Sequence, residues 1–137
     1  MKLTAKVIQG WTGEIIGEAL VTHSKISFLG DVDLNTGLIV AKDLDIQGHN
    51  LKDKILVFPE GRGSTVGSNV LYGLARKGLA PKLIAVHHAE PITISGAIYG
   101  CIPMVTDIPL QLLERFKTGE QVKAWISYEK AYLQVVD

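Results

Sequence analysis

Cysteine is nearly absent from this sequence. The 137 residues include a single cysteine, Cys101. One thiol cannot form an internal disulfide bond, so nothing in the sequence indicates a secreted, disulfide-bonded domain. One thiol also cannot hold an iron–sulfur cluster, which needs about three or four protein ligands. Because Cys101 lies in an apolar stretch, we expect a buried structural thiol rather than a nucleophile.

The sequence also lacks an excess of charge and a long hydrophobic run. Lys+Arg and Asp+Glu both number 14, so the formal net charge is zero, which argues against a nucleic-acid-binding protein. No window approaches the roughly 18 apolar residues of a membrane span. Residues 1–6 lack the apolar core of a signal peptide. We therefore expect a cytoplasmic protein that binds neither nucleic acid nor membrane.

What remains is the composition of an ordinary globular protein. Hydrophobic residues make up 47% of the chain and charged residues 20%, a balance that allows a buried core. The length predicts a single domain over residues 1–137. Partial alternation of branched apolar and polar residues near both ends predicts strands, which we expect to be antiparallel. These predicted strands span residues 3–9, 14–22, 122–127 and 131–136.

The middle of the chain has a different pattern. An apolar strand, an amphipathic helix and a second apolar strand follow one another, which predicts a parallel strand pair joined by the helix. These elements span 54–58, 65–77 and 83–87. Shorter predicted elements are a strand at 38–40 within a long loop over 24–45, a helix at 92–99, a strand at 103–105 and helical turns at 110–116. The sequence therefore predicts an α/β domain with a mixed sheet or open barrel flanked by helices.

The glycine loop, defined here as Gly61–Gly67, is the clearest candidate site. It joins a predicted strand to a predicted helix, with Ser64 as a good N-cap. The N-terminus of a helix presents unpaired N–H groups and a partial positive charge, which favour an anion. Gly61 and Gly63 allow close approach of the backbone, Arg62 adds a charged donor, and Ser64 and Thr65 add hydroxyls. The alternative is an ordinary glycine turn with Ser64 as a plain cap.

Two further patterns suggest metals only weakly. The Asp31-x-Asp33-x-Asn35 spacing resembles the start of a calcium loop, but Thr36 and Lys42 replace the glycine and glutamate that such a loop requires. A turn rich in Asx motifs is the better interpretation, and we expect the segment 31–37 to line the cleft of the site. His87 and His88 are adjacent on a predicted strand and point to opposite faces, so they do not share one ion. One of them is a candidate to line a cleft.

Four blocks of sequence together resemble a known family. They are Ile26-Ser27-Phe28-Leu29-Gly30-Asp31-Val32-Asp33 with Thr36-Gly37; Gly61-Arg62-Gly63-Ser64-Thr65-Val66-Gly67-Ser68; Ala89-Glu90-Pro91-Ile92 with Gly96-Ala97-Ile98; and Ile102-Pro103-Met104-Val105. In this order, and over nearly the whole chain, they resemble the small subunit of the aconitase X family. The resemblance implies the swivelling β/β/α domain of the aconitase superfamily. It also implies a large catalytic partner subunit that carries an iron–sulfur cluster of the 4Fe–4S type, with the active site in the cleft between the subunits.

The resemblance also implies an activity. In that family the serine after the Gly-Arg-Gly segment, here Ser64, is the proton acceptor of a hydro-lyase, and Gly61, Arg62, Gly63 and Thr65 are the expected substrate-binding residues. The archaeal members dehydrate (R)-5-phosphomevalonate to trans-anhydromevalonate 5-phosphate in a mevalonate route to isoprenoids. Bacterial members that dehydrate cis-3-hydroxy-L-proline carry a cysteine soon after the serine, whereas this chain continues Thr65-Val66-Gly67. A non-catalytic anion-binding module is the alternative outside the enzyme class.

Overall fold

A barrel of seven β-strands forms the centre of the computed structural model, which describes residues 2–63 and 66–136. The strands are β1 (Lys2–Gln9), β2 (Gly13–Val21), β3 (Ile55–Phe58), β4 (Leu83–Val86), β5 (Met104–Thr106), β6 (Gln121–Ser127) and β7 (Lys130–Val136). The order around the barrel is β1-β5-β4-β3-β2-β6-β7, and β7 pairs with β1. The predicted mixed sheet is confirmed, and the ring of strands is closed.

Parallel and antiparallel pairs occupy different parts of the ring. Strands β2, β3, β4 and β5 run parallel to one another. The remaining neighbours are antiparallel, including the β6–β7 hairpin at the C-terminal end. Consecutive strands β1 and β2 do not form a hairpin, because β1 lies between β5 and β7 while β2 lies between β3 and β6. The carboxyl ends of β3 and β4 therefore lie at the same edge of the barrel. The segments that follow these two strands meet at that edge.

Strands β3 and β4 are apolar throughout because both of their faces are covered. In β3, Ile55 and Val57 belong to a cluster that draws residues from all seven strands and fills the barrel. Their neighbours Leu56 and Phe58 belong to a second cluster beneath the helices. All four side chains are fully buried. This double burial explains why the strand is a continuous hydrophobic run rather than an alternating one.

Two longer helices cover the outside of the parallel strands. They are α2 (Val66–Arg76) and α3 (Pro91–Gly100), and the two short helices are α1 (Phe28–Asp31) and α4 (Leu110–Leu113). Gly78 follows α2 with φ +72°, as expected of a residue just beyond a helix. Val66, the first residue of α2, is 43% exposed. In the described part of the chain no helix is long and apolar enough to span a membrane.

The long loop before β3 departs from the prediction. The strand expected at 38–40 is absent: Leu38 and Ile39 form single bridges, to Asn50 and Val32 respectively, on two different segments. Helix α1 was not predicted, because four residues that include Gly30 are too few to show a helical period. Its Phe28 is buried and packs edge-on against Phe58, with ring centroids 5.9 Å apart.

The prediction of a buried Cys101 is wrong, because the residue is exposed. It is the C-cap of α3 and has left-handed backbone angles, φ 54° and ψ 40°. Its neighbour Ile102 is buried, with 2% of its surface exposed. The chain leaves the helix at Cys101. The side chain of Cys101 is therefore exposed, although its neighbour Ile102 is apolar and buried.

Truncation of a core leucine should measure the packing of α2 on the sheet. Leu71 is fully buried in α2, whereas Leu110 is 49% exposed. We expect Leu71→Ala to lower the free energy of unfolding by about 3 kcal/mol, since it removes buried methyl groups and leaves a cavity. Leu110→Ala, the same chemical change at an exposed site, should cost less than about 1 kcal/mol. Chemical denaturation of the full chain measures both, and equal losses would contradict this assignment of the core.

Candidate active site

The glycine loop begins as a direct extension of β3. Ile26 N–H donates to the carbonyl of Glu60 at 3.3 Å, and Arg62 N–H donates to the carbonyl of Ile26 at 2.9 Å. These two bonds form a parallel bridge between Ile26 and Gly61. The chain therefore leaves the carboxyl edge of the barrel already fixed by the segment that leads into α1.

Glu90 lies against the loop on another side. Its carboxylate caps α3, accepting from the N–H groups of Ile92 and Thr93, both at 2.8 Å. The Thr93 hydroxyl donates to the same carboxylate. A Cβ atom at Gly61 would collide with Glu90 Oε1 and Thr93 Oγ1. Glycine is required at position 61 because the backbone lies directly against this capping group.

Gly63 is a second position where the backbone requires glycine. Its φ is +100°, a conformation that other residues rarely adopt. A Cβ atom there would lie 2.7 Å from the Ser27 hydroxyl oxygen. Ser27 stands directly before α1. The two glycines predicted to bring the backbone close to a ligand therefore also bring it close to the first residues of α1 and α3.

Ser64 and Thr65 lie outside the described residues, so the predicted N-cap and the predicted hydroxyl contacts stay predictions. The described part resumes at Val66, the first residue of α2. This helix has 11 residues. Its first turn is the predicted anion-binding N-terminus.

The guanidinium of Arg62 lies near two carboxylates. Its Nη2 atom is 4.0 Å from Asp31 Oδ2 and 3.9 Å from Asp43 Oδ2. Both distances are longer than a hydrogen bond, so each of these contacts is an ion pair at the outer limit of a salt bridge. The Arg62 side chain is 50% exposed. Its guanidinium carries N–H donors of the kind that bind a carboxylate or phosphate ligand.

The other candidates from the sequence are used differently. Asp33 Oδ1 accepts from Asn35 N–H at 2.9 Å, the Asx turn expected of this segment. Asp31 Oδ2 instead accepts from Ser27 N–H at 2.8 Å, so the two aspartates have different backbone partners. His87 Nδ1 lies 2.9 Å from the carbonyl oxygen of Ile108. A carbonyl oxygen only accepts, so Nδ1 is the donor in this contact. His88 is exposed.

Residues 2–63 and 66–136 offer no group of three His, Cys, Asp or Glu side chains that could hold a metal ion. The single cysteine is exposed at the end of α3. An iron–sulfur cluster takes about three or four thiolate or imidazole ligands. The donor set of the described residues therefore does not fit such a cluster.

Sequence reasoning missed Glu90 and Thr93 as parts of the site, and it did not place the exposed Asp43 near Arg62. The pair Glu90-Pro91 carried a usable signal, since an acidic residue followed by proline is typical of a helix that begins at the proline. No comparable sequence signal predicts that Asp43 lies near Arg62. Only the folded course of the long loop before β3 brings Asp43 to that place.

Comparisons with known proteins agree in pointing to one family. A family model described as aconitase X swivel domain matches residues 3–133. The chain is 53% identical over 108 residues to a phosphomevalonate dehydratase small subunit of Thermococcus sibiricus, covering 79% of this chain and 82% of that protein. A protein of the same name from Thermococcus gammatolerans is 43% identical over 137 residues, covering 100% of this chain and 99% of that protein.

A solved structure is similar over almost the full length. The crystal structure of Thermococcus kodakaraensis aconitase X in its holo form superposes with a TM-score of 0.88. The two sequences are 40% identical, and the match covers 98% of each chain. The closed barrel with its covering helices is therefore shared with that protein.

Replacement of Gly61 should test the contact between the loop and the cap of α3. Gly61→Ala places a methyl group against the Glu90 carboxylate and the Thr93 hydroxyl, so we expect a loss of about 1–3 kcal/mol in the free energy of unfolding. Gly30→Ala is the matched control, because nothing lies within 4 Å of a Cβ atom there. That control should stay within about 0.5 kcal/mol of the wild type. Denaturation curves give both values, and a neutral Gly61→Ala would show that the loop does not lie against Glu90.

Proposed function

The chain belongs to the aconitase X family, as its swivel domain, and from this premise we propose that it is the small subunit of a two-subunit hydro-lyase. The proposed reaction removes water from (R)-5-phosphomevalonate to give trans-anhydromevalonate 5-phosphate. One observation carries the proposal: relatives 43–53% identical to this chain are named phosphomevalonate dehydratase small subunit. The match to the Thermococcus gammatolerans protein spans all 137 residues and so includes the glycine loop.

The glycine loop is suited to this substrate because the substrate is an anion. It carries a phosphate and a carboxylate, and both are acceptors for N–H donors. Half-exposed Arg62 supplies charged donors. At Gly61 and Gly63 the space of a side chain is filled by Glu90 with Thr93 and by Ser27, respectively, so each glycine is proposed to offer the ligand a backbone group. With the hydroxyl of Thr65, these residues form the proposed substrate-binding set.

Ser64 is the proposed proton acceptor. Dehydration requires removal of a proton from the carbon next to the carboxylate. A serine hydroxyl is a weak base unless its surroundings stabilise the deprotonated form. The N-terminal end of α2 and the charge of Arg62 both favour negative charge near this position. The proposal rests on the place of Ser64 in the sequence, between Gly63 with its positive φ and Val66, where α2 begins.

The iron–sulfur cluster of the proposed enzyme belongs to the large subunit. The donor set of residues 2–63 and 66–136 does not fit a cluster. The name of the relatives, small subunit, itself implies a larger partner. This chain then contributes the proton acceptor and anion-binding groups, while the partner completes the site.

Exposed apolar side chains near the loop support such a partner. Val66 begins α2, Leu29 lies in α1, and Val40 N–H donates to the carbonyl of Asp31. All three are more than 40% exposed. A large subunit that closes over the glycine loop would cover them. We place the assembled enzyme in the cytoplasm, with no role for nucleic acid or membrane.

Recovery of the native complex should test subunit role, reaction and proton acceptor together. We expect the tagged chain, isolated anaerobically from its host, to bring down a larger subunit and to dehydrate (R)-5-phosphomevalonate. Ser64→Ala should lower kcat by about 100-fold or more, as for loss of a general base, without loss of assembly. Ser127→Ala makes the same chemical change at an exposed residue beside the β6–β7 turn and should leave kcat unchanged. Loss of substrate measured over time gives the rates.

Other results of this experiment would be equally informative. A complex that ignores phosphomevalonate but dehydrates cis-3-hydroxy-L-proline would keep the family and overturn the proposed substrate. A chain that binds anions and recovers no larger protein would favour a non-catalytic binding module. Dehydratase activity in the isolated chain would contradict the two-subunit proposal.

Metal analysis separates the two subunits. We expect iron and acid-labile sulfide in the purified complex, and neither in this chain when it is expressed alone, because its donor set lacks cluster ligands. Cys101→Ser should leave the iron content of the complex unchanged. A loss of iron in that variant would place a cluster ligand on this chain.

A further inference from the structure

Arg62 lies between two carboxylates of very different burial. The side chain of Asp31 is 9% exposed and that of Asp43 is 73% exposed. Their distances to Arg62 Nη2 differ by only 0.1 Å, at 4.0 and 3.9 Å. Because distance is nearly equal, burial decides which carboxylate acts more strongly on the guanidinium.

Asp31 is held rigidly by its own helix. Its Oδ2 atom accepts from Ser27 N–H at 2.8 Å, and its own N–H donates to the Ser27 carbonyl at 2.8 Å. These reciprocal bonds close the single turn of α1. The carboxylate therefore presents a fixed negative charge, and its burial reduces screening by solvent.

Asp43 lies in the loop between Val40 and Leu44 and is open to solvent. Ion pairs between exposed side chains contribute little, because water screens them and both side chains lose freedom. Asp43 therefore has little capacity to restrict Arg62.

We propose that Asp31 is a positioning residue that holds the guanidinium of Arg62 in place for the anionic group of the substrate. An arginine side chain loses considerable rotamer freedom when it binds a ligand, and restricting it beforehand reduces that cost. Since Asp31 is buried and Arg62 is half exposed, the exposed part of the guanidinium remains open to the ligand. The identity of the anion in this inference rests on the proposed function. The contact between Asp31 and Arg62 does not depend on that function.

The variant Asp31→Asn separates charge from structure. Asparagine keeps an oxygen that accepts from Ser27 N–H, so the turn of α1 is retained, and only the negative charge beside Arg62 is lost. Asp43→Asn is the matched control, since it removes the same charge at the same distance from an exposed position.

The first measurement needs no substrate. We expect the heteronuclear NOE of the Arg62 Nε–Hε group, measured on the ¹⁵N-labelled full chain, to fall in Asp31→Asn and to remain at the wild-type value in Asp43→Asn. A wild-type value in Asp31→Asn, or an equal fall in both variants, would overturn the proposal.

The second measurement uses the complex. Asp31→Asn should raise KM for (R)-5-phosphomevalonate about fivefold and change kcat less than about twofold, whereas Asp43→Asn should alter neither by more than that. In an Arg62→Gln background, Asp31→Asn should have no further effect on KM, because it acts through Arg62. An unchanged KM in Asp31→Asn, or the same rise in the Arg62→Gln background, would overturn the proposal. A wild-type complex that leaves phosphomevalonate intact would refute the proposed substrate, while the NMR result would still decide the role of Asp31.

Discussion

The rest of the candidate site depends on the contacts that the Glu90 carboxylate makes. It caps α3 through two N–H groups, accepts the Thr93 hydroxyl and lies against the backbone of Gly61. On its other side Gly61 is bridged to Ile26. The start of the glycine loop is thus fixed between the cap of one helix and the segment that leads into another. The backbone of Arg62, the next residue, therefore has a defined position.

The barrel explains why these pieces meet. Strands β2, β3 and β4 are parallel, so the segments that follow them begin at the same edge of the barrel. These segments lead to α1, the glycine loop and the cap of α3, which therefore lie close together. Complete burial of β3 and β4 on both faces fixes that edge relative to the core. Half-exposed Arg62 and the exposed apolar residues nearby leave the site open on one side. A site that is open on one side is compatible with the proposal that a partner subunit completes it.

Much of this architecture was predictable from the sequence because it depends on local patterns. The apolar run before Gly61, the helical period after it and the alternation near both ends each specified an element, and four blocks together specified the family. The exposure of Cys101 was not predictable, since it depends on the left-handed turn at the end of α3 rather than on its neighbours. The contact between Asp31 and Arg62 was also missed, because 31 positions separate the two residues and only the fold brings them together. The predicted roles of Ser64 and Thr65 stay predictions.

The most direct test of the account is a structure of the two-subunit complex with (R)-5-phosphomevalonate or its product bound. The account predicts that the phosphate or carboxylate oxygens of the ligand lie within hydrogen-bond distance, about 2.7–3.2 Å, of the Arg62 guanidinium. It also predicts that the carbon that loses the proton faces Ser64. A ligand seated instead in the surface cavity lined by His87, Asp107 and Leu110, with no contact to Arg62, would contradict it.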